Sequence, residues 1–253
     1  MDAVILPGAI LPAALAYADL LSAFDAGVDA RSKELEVYAG TEVPPPHYGM
    51  ETEIDGIDRL ADEAGFARFH LVGYSAGGAS ALAYALAHPD RLRSLTLSEP
   101  AWAGTDGRLP AEVEAADRVL ATLRLPPGDM VAAFMRAQIE DGVEPPAPPQ
   151  GPPPAWMGSR PAGAVAIAGA FERHAFPPER MRTFAHPVLF ALGGRSRHAY
   201  YGLMAERLRG VFPDFSLAVF PDRHHFDPPH RTEPERYAGL LEEHWRRAEE
   251  NQG

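Results

Sequence analysis

Phe69-His70-Leu71-Val72-Gly73-Tyr74-Ser75-Ala76-Gly77-Gly78 is the stretch on which the fold turns. Residues 69–72 read as a short buried strand, and the small residues 77–87, stopped by Pro89, read as a helix. Between them lies Gly-x-Ser-x-Gly, in the strand-to-helix context that gives this motif its meaning. A serine at the tip of so tight a turn crowds the residues two positions away on each side, and Gly73 and Gly77 supply the clearance. The helix that follows turns its N-terminus, with the amide of Ala76, toward the space in front of Ser75, where an oxyanion would be stabilised. A phosphate-cradling loop is the other common use of paired glycines, but neither G-x-G-x-x-G nor a Walker lysine is present.

Outward from this turn the chain alternates. Residues 4–6, 34–38, 92–97, 188–192 and 215–220 are further strand candidates. Residues 12–25, 54–64, 198–209 and 234–247 carry apolar side chains at helical spacing. Such alternation predicts a doubly wound α/β fold with a mostly parallel sheet covered on both faces. The rhythm breaks between 101 and 183, where helical patterns at 110–123, 129–140 and 161–173 flank the proline-dense residues 145–154. We read residues 1–100 and 184–253 as the core of a single domain, and 101–183 as an ordered cap inserted over the edge of the sheet.

At 253 residues and 46% hydrophobic, the chain can bury one large core. Its net charge of -12 opposes a nucleic-acid partner, which would require clustered cations. With no cysteine there is no disulfide, thiolate metal site or cysteine nucleophile. The N-terminus has Asp2 where a signal peptide would be basic, and Pro7 and Pro12 interrupt its apolar stretch. No run approaches the ~18 apolar residues of a membrane span. A cytoplasmic protein without membrane association is the expectation.

The run 70–78, followed by Ala87-His88-Pro89-Asp90-Arg91-Leu92, resembles the nucleophile elbow and following helix of the α/β-hydrolases, and the likeness extends less specifically over most of the chain. The resemblance implies an oxyanion hole completed by an amide from the loop after an early strand. That loop here reads Pro7-Gly8-Ala9, so Ala9 is the candidate second donor beside Ala76, with Ile10 as the alternative. It also implies that the strand at 4–6 is the family's third, the two leading edge strands being missing.

Serine is a weak nucleophile without an adjacent base. The resemblance places that histidine after the last strand, where Asp222-Arg223-His224-His225-Phe226 stands. We favour His225 over His224 because it adjoins the apolar Phe226. His70 is expected to be a hydrogen-bonded core residue and His88 a helix C-terminal residue. His47, His174, His186, His198, His230 and His244 are expected to be ordinary surface or loop groups. His224 and His225 with Asp222 and Asp227 lack the spacing of a metal site, so no metal is expected.

In the family the triad's acid usually follows the strand at 188–192, but Gly193-Gly194-Arg195-Ser196 has serine there. Glu99, in Leu97-Ser98-Glu99-Pro100, keeps the order serine, acid, histidine and resembles the arrangement of those α/β-hydrolases whose acid has moved to the strand after the nucleophile helix. Asp222, Asp106 and a dyad without acid are the alternatives.

The implied activity is cleavage of a small carboxylic ester through an acyl-enzyme on Ser75, with no cofactor. Trp102, Phe134, Met135, Trp156, Met157 and Phe171 in the cap suit an apolar acyl group, although most are expected to form the cap's own core. Acyl transfer, perhydrolysis, carbon–carbon hydrolysis and lyase chemistry stay open because a fold does not fix a reaction. So does a ligand-binding homologue without catalysis.

Overall fold

The computed structural model describes residues 1–40, 42–147 and 151–250. Part of the proline-dense stretch, residues 148–150, therefore lies outside the described residues.

Six parallel strands form one sheet in the order β2-β1-β3-β4-β5-β6: β1 (Asp2–Leu6), β2 (Asp29–Ser32), β3 (Phe69–Tyr74), β4 (Leu92–Ser98), β5 (Val188–Gly193) and β6 (Phe215–Phe220). Side chains of a strand alternate between faces, and the core divides accordingly. Val4, Leu6, Leu71, Val188 and Phe190 belong to one buried cluster, whereas Ala3, Ile5, Val72, Leu189 and Ala191 belong to another. Because both faces are covered, the inner strands read as continuous apolar runs.

Over the second face lie the short helices α1 (Ala13–Ala16) and α2 (Ala18–Ala23), with Leu20 packed beside Tyr237, Leu241 and Trp245. Helices α3 (Met50–Glu63) and α4 (Ala76–Ala87) cover the first face. The 101–183 segment contributes α5 (Pro110–Thr122), α6 (Pro127–Ala137), α7 (Arg160–Arg173) and α8 (Pro178–Arg182), all between β4 and β5. The chain then passes through α9 (Leu203–Arg209), α10 (Pro229–Thr232) and α11 (Pro234–Glu250), the last returning to the second face. No helix of the described residues is long and apolar enough to cross a membrane.

The strand expected at 34–38 is a single 3-10 turn, Glu36–Tyr38, and the strand beside β1 is Asp29–Ser32. Leu35 and Val37 are buried, which produced the strand-like pattern. Their segment is tied to α3, because the buried Glu53 carboxylate accepts the amides of Glu36 and Val37 at 3.0 and 3.1 Å.

Two histidines expected near the surface are buried instead. His230 and His244 are 1% and 6% exposed, and His70 is fully enclosed, with its Nδ1 2.8 Å from Ser94 Oγ and its ring stacked on Trp245. Desolvation pushes His70 and His230 down to about 3 and His244 down to about 4. An unfolded chain protonates each near pH 6.5, whereas the folded chain resists until pH 3–4. Stability is therefore fullest above the unfolded value and falls as the pH drops through it. Each histidine contributes a loss of about 1.4 kcal/mol one unit below that value, so the three together give at most about 4 kcal/mol near pH 5.5. Denaturant midpoints at pH 7.5 and 5.5 measure this, and equal midpoints would contradict it.

Candidate active site

Ser75 stands between β3 and α4 with φ 53° and ψ −118°, a conformation that L-residues seldom adopt. Its surroundings hold it there. The Ser75 amide donates to the Ser98 carbonyl at 3.1 Å, and the Ser75 carbonyl accepts from the Ala101 amide at 2.8 Å. A Cβ on Gly73 would lie 2.2 Å from the Gly77 carbonyl oxygen, and one on Gly77 would lie 2.5 Å from the carbonyl oxygen of Pro7. No side chain fits at either position, so the elbow closes only with glycine at both.

The histidine arrives from the loop between β6 and α10. His225 Nε2 lies 3.0 Å from Ser75 Oγ, and its Nδ1 lies 2.9 Å from Glu99 Oε2. Glu99 Oε1 accepts the amide of Gly193 at 2.7 Å. Both carboxylate oxygens are thus occupied, and Nδ1–H donating to Oε2 leaves the Nε2 lone pair for the serine hydroxyl. Ser75, Glu99 and His225 are 8%, 4% and 1% exposed, so the three side chains lie out of bulk water.

Glu99 also adopts a positive φ, 45°, as the chain leaves β4, with its amide donating to the Ala191 carbonyl at 3.2 Å. That bend turns its carboxylate across the end of β5 toward the histidine. Ser196 is buried in the turn after β5, and its hydroxyl has no partner among the described residues. Asp106 and Asp222 are exposed. The His224 ring instead accepts the Phe226 amide at 3.2 Å, and burial pushes it below its ordinary value.

Several contacts fix the histidine loop. Arg223 donates to Glu233 at 2.7 Å and to Asp227 at 2.8 Å, its carbonyl accepts the Arg195 amide at 2.9 Å, and the Tyr74 hydroxyl donates to the His225 carbonyl. Tyr74 occupies the variable position before the serine, and nothing in the motif signals this use. Tyr201 was also invisible in the sequence. Its ring stacks on His225 at 4.7 Å between centroids, and its hydroxyl donates to Gln138 at 2.5 Å. A π turn, His198–Gly202, directs the adjacent Tyr200 and Tyr201 both inward.

In front of Ser75 lies a cleft lined by Ala9 and Ala76 on the core side and by Trp102, Leu120, Leu123, Phe134, Ile167 and Phe171 from the 101–183 segment. Of the cap apolar residues singled out in the sequence, Trp102, Phe134 and Phe171 face this cleft, while Met135, Trp156 and Met157 do not line it. No ionised side chain lines it among the described residues. The amides of Ala9 and Ala76 find no backbone acceptor among those residues either. No group of three or more His, Asp or Glu residues suited to a metal occurs among them.

The profile of the family described as alpha/beta hydrolase fold matches residues 35–137. A Caulobacter vibrioides protein, RutD, whose name assigns it provisionally to carbamate hydrolysis, is 42% identical over 53 residues, 21% of this chain; the aligned part spans 20% of that relative's length. A thermophilic esterase from Thermogutta terrifontis superposes with a TM-score of 0.73 at 19% identity, covering 98% of this chain and 90% of its own. The 2-hydroxy-6-oxo-6-phenylhexa-2,4-dienoate hydrolase BphD of Rhodococcus sp. strain RHA1 gives 0.65 at 19% identity, covering 97% and 90%. At this identity the structural likenesses speak for the fold. Six parallel strands, a serine elbow after β3 and the family profile across it agree, and this chain has the α/β-hydrolase fold.

Proposed function

We propose that this protein is a serine hydrolase that cleaves small carboxylic esters, or closely related acyl bonds, through an acyl-enzyme on Ser75. The observation that carries the reading is the buried line from Ser75 Oγ through both nitrogens of His225 to Glu99, at 3.0 and 2.9 Å. His225 takes the serine proton as Oγ bonds to the substrate carbonyl carbon, whose π electrons move onto oxygen. The amides of Ala76 and Ala9 stabilise that oxyanion. It collapses, the bond to the leaving group breaks, and His225 returns the proton to the departing oxygen. Water repeats the sequence on the acyl-enzyme, again with His225 as base, and releases the acid. Glu99 holds the Nδ1–H tautomer and balances the imidazolium charge.

Residues 101–183 act as a cap whose apolar side chains receive the acyl group. With no ionised side chain in the cleft, an uncharged, compact acyl portion fits best. The activities named for the relatives, esterase and carbamate hydrolase, suit attack on a carbonyl by the same serine.

A fluorophosphonate probe followed by peptide mass analysis, together with nitrophenyl esters graded in chain length and an aryl carbamate, tests the proposal. Labelling at Ser75 and a preference for short acyl chains are expected. A folded chain left unlabelled would favour a ligand-holding homologue. Products altered by an added alcohol or peroxide would favour acyl transfer or perhydrolysis.

A further inference from the structure

We infer that Tyr201, held by Gln138, is a positioning residue that stabilises the protonated ring of His225 while the acyl group is transferred, an inference that rests on the Ser75–His225 reading above. The Tyr201 ring lies nearly parallel to His225, 14° between planes, with its oxygen 3.2 Å from Nε2. The same oxygen is 2.5 Å from Gln138 Oε1, and Gln138 Nε2 is 3.0 Å from the Phe134 carbonyl oxygen. A carbonyl only accepts, so the amide nitrogen of Gln138 faces Phe134 and its oxygen faces Tyr201. The phenolic proton is thereby committed to Gln138, and the electron-rich side of the Tyr201 oxygen is left toward Nε2. Burial raises the phenol well above its ordinary value, which keeps that proton in place.

In the resting state Nε2 bears a lone pair that accepts from Ser75, and the Tyr201 oxygen gains nothing from it. Once the serine proton has moved, a positive ring lies against an aromatic face and a lone pair. The contact is therefore stronger in the charged state, the condition for acceleration rather than mere binding. The other groups facing His225 are Glu99 at Nδ1, the rings of Tyr74 and Phe226, and His224 and His230 from its own stretch of chain. Burial lowers both of these histidines, so neither competes as a cation at neutral pH.

Tyr201→Phe, Gln138→Leu and the double variant are compared with the parent in rate of Ser75 phosphonylation and in kcat/KM for nitrophenyl acetate across pH. Tyr201→Phe is expected to slow both about tenfold with little change in KM, and to move the acid limb of the profile down by roughly half to one unit. Gln138→Leu frees the phenolic proton to donate to Nε2 in competition with Ser75. It should cost more than Tyr201→Phe, and the double variant should recover to the level of Tyr201→Phe. Simple packing damage would instead give losses that add and an unmoved acid limb, and either result in folded variants overturns the inference. If Tyr201→Phe does not fold, the acid limb of Gln138→Leu decides, with an unmoved limb counting against. A parent that fails to label removes the triad reading and this inference together. A parent that labels, with variants indistinguishable from it, removes only the role of Tyr201.

Discussion

Ser75→Ala is expected to lower ester turnover by at least about 10⁴-fold while leaving stability within about 1–2 kcal/mol of the parent. The two halves of this expectation have separate causes. On the proposed mechanism, removing Oγ deletes the atom that bonds to the acyl carbon, and His225 and Glu99 have no remaining proton to relay. Alanine meets the same backbone strain at φ 53° as serine does, and the folded state loses a single hydrogen bond to His225. Melting curves and initial rates on one preparation check both halves. Ester turnover retained in the alanine variant would refute the nucleophile.

Glu99→Gln should cost about 10³-fold or more in kcat, close to what other triad acids show. The carboxylate accepts twice, from the Gly193 amide at 2.7 Å and from His225 Nδ1 at 2.9 Å. A carboxamide has one oxygen. If that oxygen stays with Gly193, its NH₂ faces Nδ1 and drives the imidazole proton to Nε2, opposite Ser75, where no base then remains. If it stays with His225, the NH₂ confronts the Gly193 amide, and a buried donor is left unmet at a cost of about 1–3 kcal/mol. Lost kcat with little change in KM, and a lowered denaturation midpoint, are the expected readouts. An unchanged rate would move the acid elsewhere.

The elements legible in the sequence are those whose side chains carry the signal. β3, the glycine-flanked serine and α4 announce themselves because the elbow's geometry forbids side chains at residues 73 and 77. β2 did not, because Asp29–Ser32 is an edge strand, partly exposed, which joins the sheet through its backbone beside β1. Leu35 and Val37 misled for the opposite reason: their alternation serves a 3-10 turn packed beneath α3. Glu99, whose carboxylate meets His225 Nδ1 at 2.9 Å, is legible as a candidate because the family's usual acid position holds Ser196 and Glu99 keeps the order serine, acid, histidine at a strand end. Tyr201 and Gln138 had no sequence signal, since their meeting depends on the residues after α6 pairing with the turn after β5, where the Arg197 amide donates to the Gln138 carbonyl. His230 and His244 show the same limit: a histidine that fills space among aromatic rings is spelled no differently from one in solvent.

The bend at Ser75 sets two aims of protein engineering against each other. With His47 and Glu99 it is one of the non-glycine residues described with a left-handed backbone, and it stores strain that glycine would relieve, on the order of 1 kcal/mol or more. Selection for heat resistance alone, with no assay for turnover, would reward glycine at residue 75, whereas at residue 99 the buried Gly193 amide and His225 Nδ1 left without an acceptor would outweigh the relief. A thermostabilisation campaign on this chain that ignored activity would thus tend to converge on a sturdier, inert scaffold.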